Sequence, residues 1–164
     1  MQPSKAARRI VAFVVLCAAL LIYKSPPGFA EDAPARPESG LETLAIVTAS
    51  GTHEFSVEVM RNGPQRERGL MFRRYLPQDR GMLFDFGVER TIMMWMKNTY
   101  LPLDMIFIGR TGKVVGFAND TEPLSEKIIP SGAPAYGVLE VNAGTAARIG
   151  LKIGDHVRHS VFGR

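Results

Sequence analysis

The stretch Leu103-Asp104-Met105-Ile106-Phe107-Ile108-Gly109-Arg110-Thr111-Gly112-Lys113-Val114-Val115-Gly116-Phe117 decides the fold class. Two short runs of apolar residues, rich in β-formers, flank the polar segment Arg110-Thr111-Gly112-Lys113. That is the pattern of a strand, a hairpin turn and a second strand. Outward from it the same signature recurs at short intervals, punctuated by Gly, Pro and Asn. Strands are expected at 44–48, 55–60, 82–86, 92–97 and 136–141, with a last one after Gly154-Asp155. The second alternates Phe55, Val57 and Val59 with Ser56 and Glu58, the period-two signature of a strand buried on one face. Ala49-Ser50-Gly51 is the expected turn between the first two.

Two short helices interrupt the strands. Asn62 can cap the first, with Pro64 in its opening turn and Gln65 placed three residues on, as in a capping box. The second is expected at 145–149, stopped by Gly150 in the left-handed cap position. Strands do not alternate with long helices, which argues against a doubly wound sheet. The expectation is a mainly β, single-domain fold, a β-sandwich or partly open barrel with one or two short helices. It covers 41–164, after a polar, Pro-rich linker at 31–40.

Residues 1–30 read as a secretory signal peptide. Lys5, Arg8 and Arg9 form a positive start, and 10–22 is an unbroken apolar run, short of the ~20 residues that a spanning helix needs. Pro26-Pro27 breaks it, and Gly28-Phe29-Ala30 supplies small residues, so cleavage is expected after Ala30. The alternative is an uncleaved anchor. The localisation expected is extracytoplasmic, in the periplasm, with no stable membrane span after cleavage.

The net charge of +4 comes from this leader, which holds Lys5, Arg8, Arg9 and Lys24 and no acidic residue. Without it, 20 − 4 = 16 basic side chains face 16 acidic ones, so the overall charge makes no case for a nucleic-acid partner. The single cysteine, Cys17, also lies in the leader. The domain therefore has no disulfide, thiol nucleophile or thiolate ligand, and must be held by its core alone.

Candidate chemistry is sparse. His53, His156 and His159 fall in no Ser/His/Asp signature, and there is no G-x-S-x-G. A spacing of three puts His156 and His159 on opposite faces of a strand, so they read as solvated histidines rather than a metal pair. Met93-Met94-Trp95-Met96 offers thioethers, soft donors suited to copper(I), beside an indole. On a strand Met94 and Met96 share one face and Met93 joins Trp95 on the other; adaptable core packing is the preferred reading. The segment 97–104 is the place to look for function. Asp104 shares parity with Ile106 and Ile108, and Glu140 with Val138, so each carboxylate needs a partner on an apolar face. Lys97 or Asn98 is the expected partner of Asp104, and a structural network is preferred to a ligand patch.

With these residues in hand the chain resembles the domain of unknown function 192 family. The matching stretches are GLMFRRYLP at 69–77, GMLFDF at 81–86, MWMKNTYLPLDMIFI at 94–108, the Gly-Lys-Val-Val turn at 112–115 and VLEVNAGTAARIGLKIGD at 138–155. The resemblance implies a mainly β single domain, commonly exported, with no agreed activity. Some relatives carry a cysteine pair in the region matching 122–131. Pro123-Leu124-Ser125-Glu126 stands there in this chain, so no role for that pair transfers, and no catalytic residue carries over.

The functional expectation is a periplasmic binding or accessory module, monomeric, contacting an unidentified small ligand or envelope component. The ligand-binding candidates are Trp95, Lys97, Asn98, Asp104 and Glu140. No cofactor, resident metal or catalytic residue is expected. The alternatives are a hydrolase-type enzyme using Asp104, Glu140 and Lys97, and a methionine-based copper-handling protein. A concave pocket beside Lys97, Asn98 and Asp104 would favour ligand binding or catalysis.

Overall fold

Alternation builds the first hairpin. β1 (Glu42–Thr48) and β2 (Gly51–Met60) pair antiparallel and bury Leu44 and Ile46 from one strand, and Phe55, Val57 and Val59 from the other. The computed structural model describes residues 40–163, so the leader at 1–30 and the linker up to residue 39 lie outside the described residues. α1 (Gly63–Arg68) follows β2, with the reciprocal capping box in place: Asn62 accepts from the Gln65 amide while the Gln65 side chain accepts from the Asn62 amide. The chain then returns so that β3 (Arg80–Arg90) lies parallel to β2, a pairing that needs a crossover rather than a tight turn.

Six further elements complete the fold before the last strand: β4 (Met93–Met94), β5 (Leu103–Ile108), β6 (Val114–Thr121), β7 (Ile129–Pro130), β8 (Ala135–Asn142) and α2 (Thr145–Ile149). β9 (His156–Arg158) closes the order. Seven strands form one sheet in the order β6-β5-β8-β3-β2-β1-β9, and β4 pairs with β7 apart from it. The sheet curls into a half-barrel, so of the two expected architectures it is the partly open barrel. Its edges meet at one end, where the Val114 amide donates to Asp155 and the Val157 amide to the Gly112 carbonyl, at 2.8 and 2.7 Å. Gly112 has φ +86°, and a Cβ there would overlap the Val157 carbonyl oxygen. Only glycine suits both the turn and the closure.

Two cores follow from the curl. Leu44, Ile46, Val57, Ile106, Ile108, Val114, Val141 and Val157 fill one, which joins residues from both sheet edges and is therefore the concave side. Leu70, Met82, Phe84, Met96, Met105, Phe107 and Val138 fill the other, where loops cover the outer face. β5 is buried along its whole length because it lies between them.

The strand expected at 92–97 shrinks to Met93–Met94. The Met96 amide donates to Ser125 and the Thr99 amide to Met96, so this segment turns instead of extending. Its partner β7 is two residues long and ends in proline, too short to leave a pattern in the sequence.

Candidate functional site

Asp104 is fully buried, as its parity predicts, but its expected partners are corrected. One carboxylate oxygen accepts from the Asp120 amide at 2.9 Å, the other from the Ala146 amide at 2.8 Å. Gly144, at the N-cap of α2, has no side chain to satisfy the helix's first amides. Asp104 supplies that acceptor from a neighbouring strand, which is a structural task. Lys97 and Asn98 do not reach it. Lys97 lies 3.7 Å from Glu126 and over the Trp95 ring, and the Asn98 amide lies 3.9 Å from the Met71 sulfur.

Nor can Asp104 and Glu140 act together. Asp104 pairs with Val141 and Met105 with Glu140 in the β5–β8 ladder. Directly paired residues point to the same side of an antiparallel sheet and successive ones to opposite sides. The two carboxylates therefore occupy opposite faces, and the acid/base pair drawn from Asp104, Glu140 and Lys97 is not assembled.

The histidines divide as well. His156 is exposed, but the His159 side chain is buried, with Nε2 3.5 Å from Glu42, which corrects the solvated reading. Ser50 Oγ stands 2.9 Å from His53 Nε2, beside a shallow depression of about 240 Å³ lined by Glu54, Asp79 and Arg148. This is not a nucleophile and base. Ser50 and Thr48 both bond the Ile149 carbonyl, at 2.7 and 2.9 Å, satisfying the last turn of α2. Among the described residues no carboxylate bonds the His53 ring to hold it.

The methionine cluster splits by parity. Met96 is in the core, where its sulfur accepts from the Thr121 hydroxyl at 3.2 Å, and Met94 is half-buried. Met93 and Trp95 are 68% and 45% exposed, so core packing holds for only half of the cluster.

Those two belong to a larger feature. Nine large hydrophobics are exposed among the described residues, and seven of them (Phe72, Tyr75, Met93, Trp95, Tyr100, Leu124, Ile128) come from three loop segments. Backbone bonds tie the segments together: Phe72 N to Asn98 O, Leu124 N to Thr99 O, and Met96 N to Ser125 O. The rings of Phe72 and Tyr100 meet edge to face, with Arg74 over Tyr100. Single exposed hydrophobics are ordinary; a contiguous group marks a contact surface. Phe72 and Leu124 also hold left-handed backbones, φ 65° and 62°, a conformation bulky residues rarely adopt and one that costs about 1–3 kcal/mol each.

Glu140 lies beneath this face. It is 4% exposed and, among the described residues, makes no hydrogen bond or ion pair. Its ladder neighbours on the same face are Met82 and Met105. With Met71, Met94, Trp95 and Thr99 it lines a cleft of about 20 Å³, room for one water-sized occupant. Desolvation pushes its carboxyl up to about 8, so it is protonated at neutral pH. The structure thus brings Glu140 and Trp95 together and leaves Asp104 and Lys97 apart. Sequence reasoning missed Met71, which joins the cleft from the loop after α1.

Among the described residues no three or more His, Asp or Glu side chains gather as metal ligands, and no helix is long and apolar enough to cross a membrane. The family model DUF192, described as Uncharacterized ACR, matches residues 45–159. No curated protein matches the chain. It is similar to a solved structure from Sinorhizobium meliloti 1021 named a "putative transcription regulator", with 48% identity, a TM-score of 0.73, and coverage of 75% of this chain and 96% of that one. A protein of unknown function from Novosphingobium aromaticivorans DSM 12444 is 38% identical, with a TM-score of 0.72 and coverage of 75% and 89%.

Proposed function

We propose, for a chain that belongs to the DUF192 family, an exported periplasmic binding module that docks another component of the cell envelope through the loop face around Trp95 and Tyr100. The observation that carries this reading is the gathering, among the described residues, of seven of nine exposed large hydrophobics on three linked segments. Keeping such a surface in water, with Phe72 and Leu124 in costly backbone conformations, has a physical rationale if a partner covers it. The positive start, apolar run and small-residue site at 1–30 support export. Size separates an envelope component from a metabolite. The hollow under Trp95 holds one water-sized body, whereas ligand pockets run to about 300–1,000 Å³. The regulator name stays with the Sinorhizobium relative; basic and acidic residues balance at 16 each over 31–164, so the overall charge makes no case for a nucleic-acid partner here.

A photo-crosslinking side chain placed at Trp95 or Tyr100, with one at Thr43 on β1 as control, tests this in the native host. Adducts from the first two positions and not the third are expected, lost on adding Phe72→Ser and Leu124→Ser. No adduct, or equal adducts from all three positions, overturns the reading.

A further inference from the structure

We propose that the cleft beneath Trp95 binds one soft monovalent metal ion of the copper(I) class, held by the Glu140 carboxylate and the thioethers of Met71 and Met94. Three observations converge. First, Glu140 is a carboxyl more than nine-tenths buried, without a partner among the described residues, at the wall of the cleft. Such a group, neutral and on an apolar face, is left without a hydrogen-bond partner. A cation at the cleft would take the place of its proton, which is released to solvent, and pair the carboxylate. Second, the donors around it are soft. Met71 and Met94 line the same hollow, and Met82 and Met105 flank Glu140 on the adjacent strands of its own face. Thioethers favour copper(I), whereas calcium and magnesium demand a shell of roughly six or more oxygens, beyond what the Glu140 and Glu67 carboxylates and the Thr99 hydroxyl on the wall supply.

Third, the size fits. A hollow of about 20 Å³ has room for a body of about one water's size, which a bare ion fits. Arg66, also on the wall, does not occupy the ion's place. Its guanidinium donates to the Arg61 and Asp85 carbonyls at 2.9 and 2.8 Å and stacks on Phe86. The Asn98 contact to the Met71 sulfur, at 3.9 Å, leaves a sulfur lone pair free. The Met93-Met94-Trp95-Met96 run is therefore not itself the site. Met93 faces solvent and Met96 is committed to Thr121, so only Met94 contributes, beside residues distant in sequence. This inference goes beyond the docking surface and stands without it.

The experiment uses the full chain with Cys17→Ser, so that no thiol competes for the ion. Silver(I), a redox-inert stand-in for copper(I), is titrated as nitrate in chloride-free buffer. The readouts are the fluorescence of Trp95, the only tryptophan, and the melting temperature. Saturable quenching at one equivalent and a raised melting temperature are expected. Glu140→Gln and the pair Met71→Leu, Met94→Leu should each weaken binding about 10- to 100-fold, while Met93→Leu leaves it unchanged. The Leu exchanges conserve volume and Gln is close in shape to the protonated Glu140 carboxyl, so each variant should fold, checked by its melting without silver. Absence of saturable quenching overturns the proposal, as does equal affinity in the Glu140 or Met71/Met94 variants. Calcium and zinc giving the same response would overturn its choice of a soft ion.

Discussion

Replacing Glu140 by Gln should change how stability depends on pH as well as stability itself. Burial raises the folded-state carboxyl from the ordinary 4.5 to about 8. Between those values the folded protein keeps a proton that the unfolded chain has released, so the unfolded state gains as pH rises. Wild-type stability contributed at this site is present in full below pH 4.5, falls through the interval, and levels off above about 8. The interval corresponds to about 5 kcal/mol, of which about 3 has been lost by pH 7. Gln has no proton to hold, so the Glu140→Gln profile lacks this slope. Urea unfolding of both proteins at pH 4 to 9, in metal-free buffer, reads the difference. The other charged groups lining the cleft, Arg66, Glu67 and Arg68, are present in both proteins. Relative to pH 4, the variant's midpoint at pH 7 should gain about 1–3 M urea on wild type. Parallel profiles across the whole range would refute the argument, because they would mean that Glu140 is solvated or paired in solution.

Asp104→Asn should cost about 2–4 kcal/mol by urea unfolding, because the amide can accept from only one of the Asp120 and Ala146 N–H groups and turns a donor on the other. An unchanged midpoint would count against its capping of α2. Gly112→Ala should cost at least about 2 kcal/mol, since φ +86° and the Val157 carbonyl both oppose a Cβ; hydrogen exchange should show β9 opening first. Mass spectrometry of protein from the native host should place the mature N-terminus at Glu31, and a full-length membrane-bound species would favour the anchor instead.

What the sequence determined by itself was local. The Asn62–Gln65 box, the Gly150 stop at φ 65° and the turn before Val114 depend on groups a few residues apart, and all are where the pattern puts them. The alternation of Phe55, Val57 and Val59 names its buried face because side chains in a strand have period two. The family motifs were legible for the same reason, as strings. Tertiary structure decided everything that depends on register between strands. Parity says that Asp104 lies with Ile106 and Glu140 with Val138, but only the pairing of Asp104 with Val141 puts the two carboxylates on opposite faces. A one-residue slip would reverse that answer. The partners of Asp104, 16 and 42 residues away, and the meeting of Met71, Met94 and Glu140 depend likewise on how the sheet curls and where its loops return. No interaction within a few residues encodes these contacts. They follow from burying two apolar faces of one twisted sheet at once, which only the whole folded chain can do.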